Sequence, residues 1–115
     1  MTKKMYHSDN LDDAPESIGV YAIYLTSSPK KAYIGSSSNL RRRFKRHFRD
    51  LENNKHANYK LKRLYRTRRG DFRIVILKQF DNIKDARDHE QRVIDLSADK
   101  NLYNVDMTVY NHRND

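Results

Sequence analysis

The chain has 115 residues, which is enough for one compact domain with a single core. It contains no cysteine, so disulfide frameworks and cysteine-based zinc sites are excluded. No apolar run approaches the roughly 18 residues of a membrane span, and no signal-peptide pattern opens the chain. We therefore expect a soluble protein of the cytoplasm.

The formal net charge of +9 is concentrated in the middle of the chain. Residues 30–73 hold 16 lysines and arginines against 3 acidic residues, whereas the segments before and after each have a net charge of −2. A basic block of this kind is typical of polyanion-binding proteins and favours nucleic acid as the partner. A basic surface that only maintains solubility is the alternative.

The first 17 residues lack hydrophobic periodicity and carry four carboxylates. They predict an N-terminal extension that is mobile for much of its length. Two interpretations of its acidic residues stay open: they compete weakly with nucleic acid for the basic block, or they belong to a solvated tail.

A β-hairpin is predicted next. Val20–Leu25 is rich in β-branched and aromatic residues, as strands are, and residues 26–29 have the composition of a turn. Lys31–Ile34 returns as a second short strand, and Gly35 ends it. The hairpin carries Tyr21 and Tyr33.

Two basic helices follow the hairpin, spanning residues 39–51 and 59–69. Asn39 is a suitable cap for the first, whose apolar residues recur every three or four positions and predict a core-facing stripe. Arg43 and His47 are four residues apart, so they project from one side of this helix, beside the stripe. Nine other cations of the two helices are predicted to contact nucleic acid: Arg41, Arg42, Lys45, Arg46, Lys60, Arg63, Arg66, Arg68 and Arg69.

The last third of the chain predicts one more strand and one more helix. Phe72–Phe80 contains an unbroken apolar run, typical of a central strand buried on both faces. Ile83–Leu96 has helical periodicity, and residues 103–105 form a short extended piece. The domain is thus expected to span residues 18–108, followed by a C-terminal tail at 109–115.

Glu90 lies within the apolar face of the third predicted helix, between Ala86 and Val93. A buried carboxylate without a partner costs several kcal/mol, so a compensating group is required. An arginine or a metal ion would serve, and the pattern alone favours the arginine.

Several of these segments together resemble the GIY-YIG nuclease superfamily. Gly19-Val20-Tyr21 and Tyr33-Ile34-Gly35 correspond to its two signature tripeptides, and the segment 40–48, Glu90 and Asn104 follow in the family's order. The resemblance covers roughly residues 18–105 and extends to the catalytic domains of phage homing endonucleases. It implies an α/β (α+β) fold with a three-stranded, mainly antiparallel sheet flanked by about three helices. It also implies a metal-dependent DNA endonuclease of phage or mobile-element type.

The resemblance further implies a role for each candidate residue. Tyr21 and Tyr33 line the active site, and we expect Tyr21 to deprotonate the attacking water while Tyr33 positions it, with His47 as the competing base. Arg43 contacts the scissile phosphate, and Asn104 supports the site through hydrogen bonds. Two further residues complete the set. Glu90 holds Mg²⁺ or Mn²⁺, ions that suit one carboxylate plus water and phosphate oxygens, and His56 joins the DNA-binding residues.

Each of these residues also has an ordinary structural interpretation, such as ring packing for the tyrosines. The alternative function is a basic module that binds DNA or RNA and cuts nothing. Composition does not separate the two functions, whereas Glu90 in an apolar stripe and the paired tyrosine motifs favour the enzyme. Neither a small-molecule cofactor nor a membrane partner is expected.

Overall fold

A four-stranded antiparallel sheet forms the centre of the computed structural model, which describes residues 3–109. Its strands lie in the order β1-β4-β2-β3. They are β1 (Met5–Tyr6), β2 (Ile18–Leu25), β3 (Ser28–Ser37) and β4 (Phe72–Phe80). The predicted α+β class and antiparallel sheet are confirmed, and the two-residue β1 is an additional strand.

Three helices pack around the sheet, and each begins after an asparagine whose side chain accepts a backbone N–H from the first turn. This capping satisfies a donor that the helix itself leaves unpaired. The helices are α1 (Leu40–Glu52), α2 (Tyr59–Arg68) and α3 (Ile83–Leu96). Their bounds agree with the predicted segments to within one residue. Within residues 3–109, no helix combines the length and apolar character that crossing a membrane requires.

The alternation of side chains along β2 divides the interior into two cores. Tyr21 and Ile23 belong to the core that contains Phe44 of α1. Val20 and Ala22 belong to the second core, which contains Ala86 of α3. The sheet therefore separates the environment of α1 from that of α3.

The N-terminal segment packs against the domain, which differs from the predicted mobile extension. β1 pairs with Ile74 and Val75 of β4, and Tyr6 and Ala14 are buried. The side chain of Arg41 donates from Nε to the carbonyl oxygen of Ala14, at 2.8 Å. Residues 1–2 lie outside the described part of the chain, so the prediction can be compared only over residues 3–17.

A segment near the other end of the chain lies along the outer edge of β3. The N–H of Tyr103 donates to the carbonyl oxygen of Ala32 at 2.8 Å. The side-chain amide of Asn104 both accepts from the N–H and donates to the carbonyl oxygen of Ile34, each at 2.9 Å. The predicted tail falls mostly outside the described residues: Val109 is buried, and residues 110–115 are not described.

The β4 strand is interior to the sheet, as predicted, but it is less enclosed than its sequence suggested. Phe72 and Ile74 are buried, whereas residues 75–77 are only half-buried.

Candidate active site

Tyr21 is positioned by a close approach between β2 and β3. It lies opposite Gly35 in the β2–β3 register, and none of its surface is exposed. A Cβ atom on Gly35 would come within 2.5 Å of the Tyr21 hydroxyl oxygen and 2.6 Å of Cζ. Only glycine leaves room for this ring, which crosses β3 and brings its hydroxyl to α1.

A hydrogen-bonded series runs from the Tyr21 hydroxyl through two histidines. Tyr21 Oη lies 2.5 Å from Nε2 of His47, and Nδ1 of His47 lies 2.7 Å from Nε2 of His56. The backbone N–H of Asn58 donates to Nδ1 of His56 at 3.0 Å. The imidazole rings are stacked, with centroids 5.0 Å apart, and both are buried. We call these four residues the histidine series.

The histidine series borders a cleft of about 480 Å³. Its lining includes five residues singled out from the sequence: Tyr33, Arg43, His47, His56 and Asn104. The Tyr33 ring is half-buried and meets the His47 ring edge-on, with centroids 5.7 Å apart. The structure therefore brings together five of the six predicted catalytic residues: four line the cleft, and Tyr21 touches it through His47.

Arg43 also lines a second, basic hollow next to the cleft. This hollow is formed by Ser37, Arg42, Arg43, Arg46, Arg49 and Asp50. Because Arg43 belongs to both, its guanidinium lies where a polyanion in the hollow would enter the cleft. The predicted DNA contacts Arg42 and Arg46 are exposed beside it.

His56 is neutral at neutral pH. The pKa of its ring is lowered from 6.5 to about 4, mainly because burial disfavours the charged form; the charge of Asp50 acts in the opposite direction, and the positive charges of Arg43 and Arg46 act in the same direction as burial. The neutral ring agrees with its hydrogen bonds, since Nδ1 accepts a proton from the backbone. His56 was predicted to contact DNA, but its ring is buried and both of its nitrogens form hydrogen bonds within the protein.

Glu90, like Tyr21, does not line the cleft. It is fully buried on α3, and its Oε1 accepts a hydrogen bond from the hydroxyl of Ser36 on β3. Sequence reasoning considered an arginine or a metal as its partner and did not include this hydroxyl. The next residue, Ser37, lines the basic hollow with Arg43, so β3 links the two regions.

As a metal ligand, Glu90 has suitable chemistry for a hard divalent cation, because its carboxylate offers oxygen atoms. Among residues 3–109 there is no group of three or more His, Cys, Asp or Glu side chains able to hold an ion. A single carboxylate fits Mg²⁺ when water and phosphate oxygens supply the remaining ligands, and because the Glu90 side chain is fully buried, the groups that cover it would have to move before an ion could bind.

The other predicted DNA-binding cations fall into two groups: three form ion pairs with acidic side chains, and four lie on α2. Lys45 pairs with Asp12 of the N-terminal segment, and Arg41 with Glu16 at 2.9 Å. Arg69 pairs with Glu52 of α1. The remaining four lie on α2 with exposed or half-buried side chains: Lys60, Arg63, Arg66 and Arg68.

Two residues of the site were not identified from the sequence. Ser36 directly follows Tyr33-Ile34-Gly35, and its place in that motif was a usable signal. From the sequence, Asn58 was recognisable only as the residue that precedes the second helix, with no sign of its contact with His56. The structure gives it three contacts: its backbone N–H binds His56, its Oδ1 caps α2, and its Nδ2 donates to the carbonyl oxygen of Tyr103 at 3.0 Å.

Comparison with known proteins decides the family. The family model described as the GIY-YIG catalytic domain matches residues 17–104. The chain belongs to the GIY-YIG nuclease family. The match contains the histidine series, Glu90 and the cleft residues up to Asn104, and the family predicted from the sequence is confirmed.

Named relatives and solved structures of this family agree. The chain is 33% identical over 89 residues to the Intron-associated endonuclease 1 of Enterobacteria phage T4. That alignment covers 76% of the chain but only 36% of the phage protein. The chain spans about a third of this relative's length.

The fold matches the catalytic domain of homing endonuclease I-TevI, with a TM-score of 0.69 at 31% identity. This match covers 77% of the chain and 98% of the solved domain. A mutant of the I-TevI catalytic domain matches with a TM-score of 0.70 at 33% identity, covering 78% of the chain and 94% of the solved domain.

Proposed function

We propose that this GIY-YIG domain hydrolyses phosphodiester bonds of DNA in the cleft beside the histidine series, with a divalent metal ion. The observation that carries the proposal is the convergence of Tyr33, Arg43 and His47 on one cleft, which adjoins the basic hollow and shares Arg43 with it. The relative from a phage favours a phage or mobile element as the source, with action in the host cytoplasm.

Arg43 is proposed to bind the scissile phosphate. Its side chain is half-buried, so its charge is screened less than that of the exposed cations around it. A guanidinium binds two phosphate oxygens at once and stabilises the charge that develops on them as water attacks. The exposed Arg42 and Arg46 would hold the neighbouring phosphates.

Tyr33 is better placed than Tyr21 to take the proton of the attacking water. A general base must reach its water by a hydrogen bond, and Tyr21 has no exposed surface whereas Tyr33 lines the cleft. We therefore revise the expected roles: Tyr33 is the proposed base, and Tyr21 positions His47.

Glu90 is proposed to hold Mg²⁺ or Mn²⁺, the ions expected for this family. Such an ion supplies a Lewis acid that polarises a phosphate oxygen and stabilises the leaving oxygen. The Ser36 hydroxyl orients the Glu90 carboxylate from the β3 side.

The proposal is tested by incubating the protein with supercoiled, linear and single-stranded DNA, with Mg²⁺ and with EDTA. Cleavage should require the metal. DNA binding without cleavage in either Mg²⁺ or Mn²⁺ would favour the alternative, a basic module that only binds nucleic acid.

The base is tested by removing one hydroxyl at a time. Tyr33→Phe should slow the chemical step by roughly a hundredfold or more at saturating DNA, and it should abolish the ionisation of the base in the pH–rate profile. Tyr21→Phe should keep that ionisation with a smaller loss of rate. A Tyr33→Phe variant with the wild-type single-turnover rate would rule out Tyr33 as the base.

A further inference from the structure

We infer that His56 is a positioning residue that holds His47 in the tautomer protonated at Nε2, which removes His47 as a candidate for the general base. The inference rests on the proposed function for its catalytic consequence. Its structural part concerns only the direction of the hydrogen bonds in the histidine series.

The direction of the first hydrogen bond is fixed by the backbone. The N–H of Asn58 has only a donor to offer, so Nδ1 of His56 must accept, at 3.0 Å. An imidazole that accepts at Nδ1 is neutral and carries its proton on Nε2. The pKa of His56, lowered to about 4 by burial, agrees with this neutral state.

The tautomer of His56 determines the tautomer of His47. Because Nε2 of His56 carries the proton, it donates to Nδ1 of His47 across 2.7 Å. His47 then carries its own proton on Nε2 and donates it to the hydroxyl oxygen of Tyr21, 2.5 Å away. The hydrogen bond at one ring nitrogen thus sets the state of the other, as is usual for histidine.

Both nitrogens of His47 are therefore committed inside the protein. A general base needs a lone pair directed at the water, and the lone pair of His47 on Nδ1 faces His56. What His47 offers the cleft is its ring in one fixed orientation, edge-on to Tyr33. The series works as a rigid support for the side of the cleft where Tyr33 lies.

The direct test is the protonation state of the His47 ring in the free protein, without DNA or metal. The ¹⁵N chemical shifts of the ring nitrogens distinguish protonated from bare nitrogen, and single His→Gln variants assign the signals among the five histidines. At neutral pH we expect a protonated Nε2 and a bare Nδ1 in His47. A proton on Nδ1 of His47 would overturn the inference, whether or not the protein cuts DNA.

Two substitutions test the consequence for cleavage. His56→Gln keeps an N–H donor for His47 and an oxygen acceptor for the Asn58 N–H, so it should keep the His47 tautomer and most of the rate. His56→Leu removes both, so the His47 ring should populate both tautomers. Its single-turnover rate at saturating DNA should fall by about 10- to 100-fold, the usual effect of losing a partner that orients a functional histidine.

His89→Leu is the matched control, because His89 lies on α3 against Phe80 and outside the cleft. It should change neither the His47 signals nor the rate. A His56→Gln variant as slow as His56→Leu would overturn the positioning role. A wild-type protein that cuts no DNA would overturn the proposed function, and the nitrogen shifts would still decide the tautomer.

Discussion

Substituting Gly35 by alanine should disable the site through Tyr21. The new Cβ would lie 2.5 Å from Oη and 2.6 Å from Cζ of Tyr21, about 0.9 Å inside ordinary contact. Gly35 has a negative φ, so alanine suits the backbone and the clash falls on the ring. The ring would have to move by about 1 Å, which breaks its 2.5 Å hydrogen bond to His47.

The size of the effect follows from this displacement. Overpacking a closed core costs about 1–3 kcal/mol of unfolding free energy. A misplacement of about 1 Å in a catalytic site can reduce the rate by about a hundredfold. Urea unfolding measures the first quantity, and single-turnover cleavage at saturating DNA and Mg²⁺ measures the second.

Gly70→Ala is the matched control for this substitution. A Cβ on Gly70 has no neighbour within 4 Å, and its φ is not positive. Gly70→Ala should leave cleavage unchanged and keep or slightly raise stability, by up to about 1 kcal/mol, because alanine restricts the unfolded chain. A Gly35→Ala variant that cuts at the wild-type rate with wild-type stability would refute the account of the Tyr21 position.

Three further predictions follow from the site and its surroundings. Glu90→Gln should abolish metal-dependent cleavage but keep the fold and DNA binding, because the amide still accepts from Ser36; near wild-type cleavage would refute the ligand role. Because His56 titrates at about 4 when folded and 6.5 when unfolded, lowering the pH from 7.5 to 4.5 should remove about 2.5 kcal/mol of stability. In urea unfolding, His56→Leu should lose less stability than the wild type over this range, and equal losses would contradict the buried neutral ring. The last prediction concerns three cations at the C-terminal end of α2, which are replaced together by alanine: Arg66, Arg68 and Arg69. In binding titrations this change should reduce the slope of log affinity against log salt concentration. An unchanged slope would mean that DNA binds elsewhere on the protein.

The parts of the fold that the sequence predicted are those with strong periodicity. The stripe of α1 and the apolar face of α3 set the helix bounds because each helix must bury one side. The glycine-flanked tyrosines also located the hairpin. The motifs then brought Tyr33, Arg43 and His47 to one cleft, as the structure shows.

What the sequence missed depends on contacts between distant segments. The loop residue His56 has no periodicity to place it, and its role comes from meeting His47 of α1. Met5–Tyr6 is too short for a strand signal, and it exists because the edge of β4 offers it a partner. The family resemblance placed Tyr21 at the active site, but nothing in the sequence showed that its side chain has no exposed surface.

The two edges of the sheet have a consequence for how copies of this protein associate. At β4, β1 pairs with residues 74 and 75, and the ammonium group of Lys3 binds the carbonyl oxygens of Ile76 and Leu77 at 3.0 and 2.6 Å. At β3, the side-chain amide of Asn104 forms hydrogen bonds with the backbone N–H and carbonyl oxygen of Ile34. Open edges are the usual route to intermolecular strand pairing and aggregation. Strand pairing between two copies at these positions would first require one of these segments to detach.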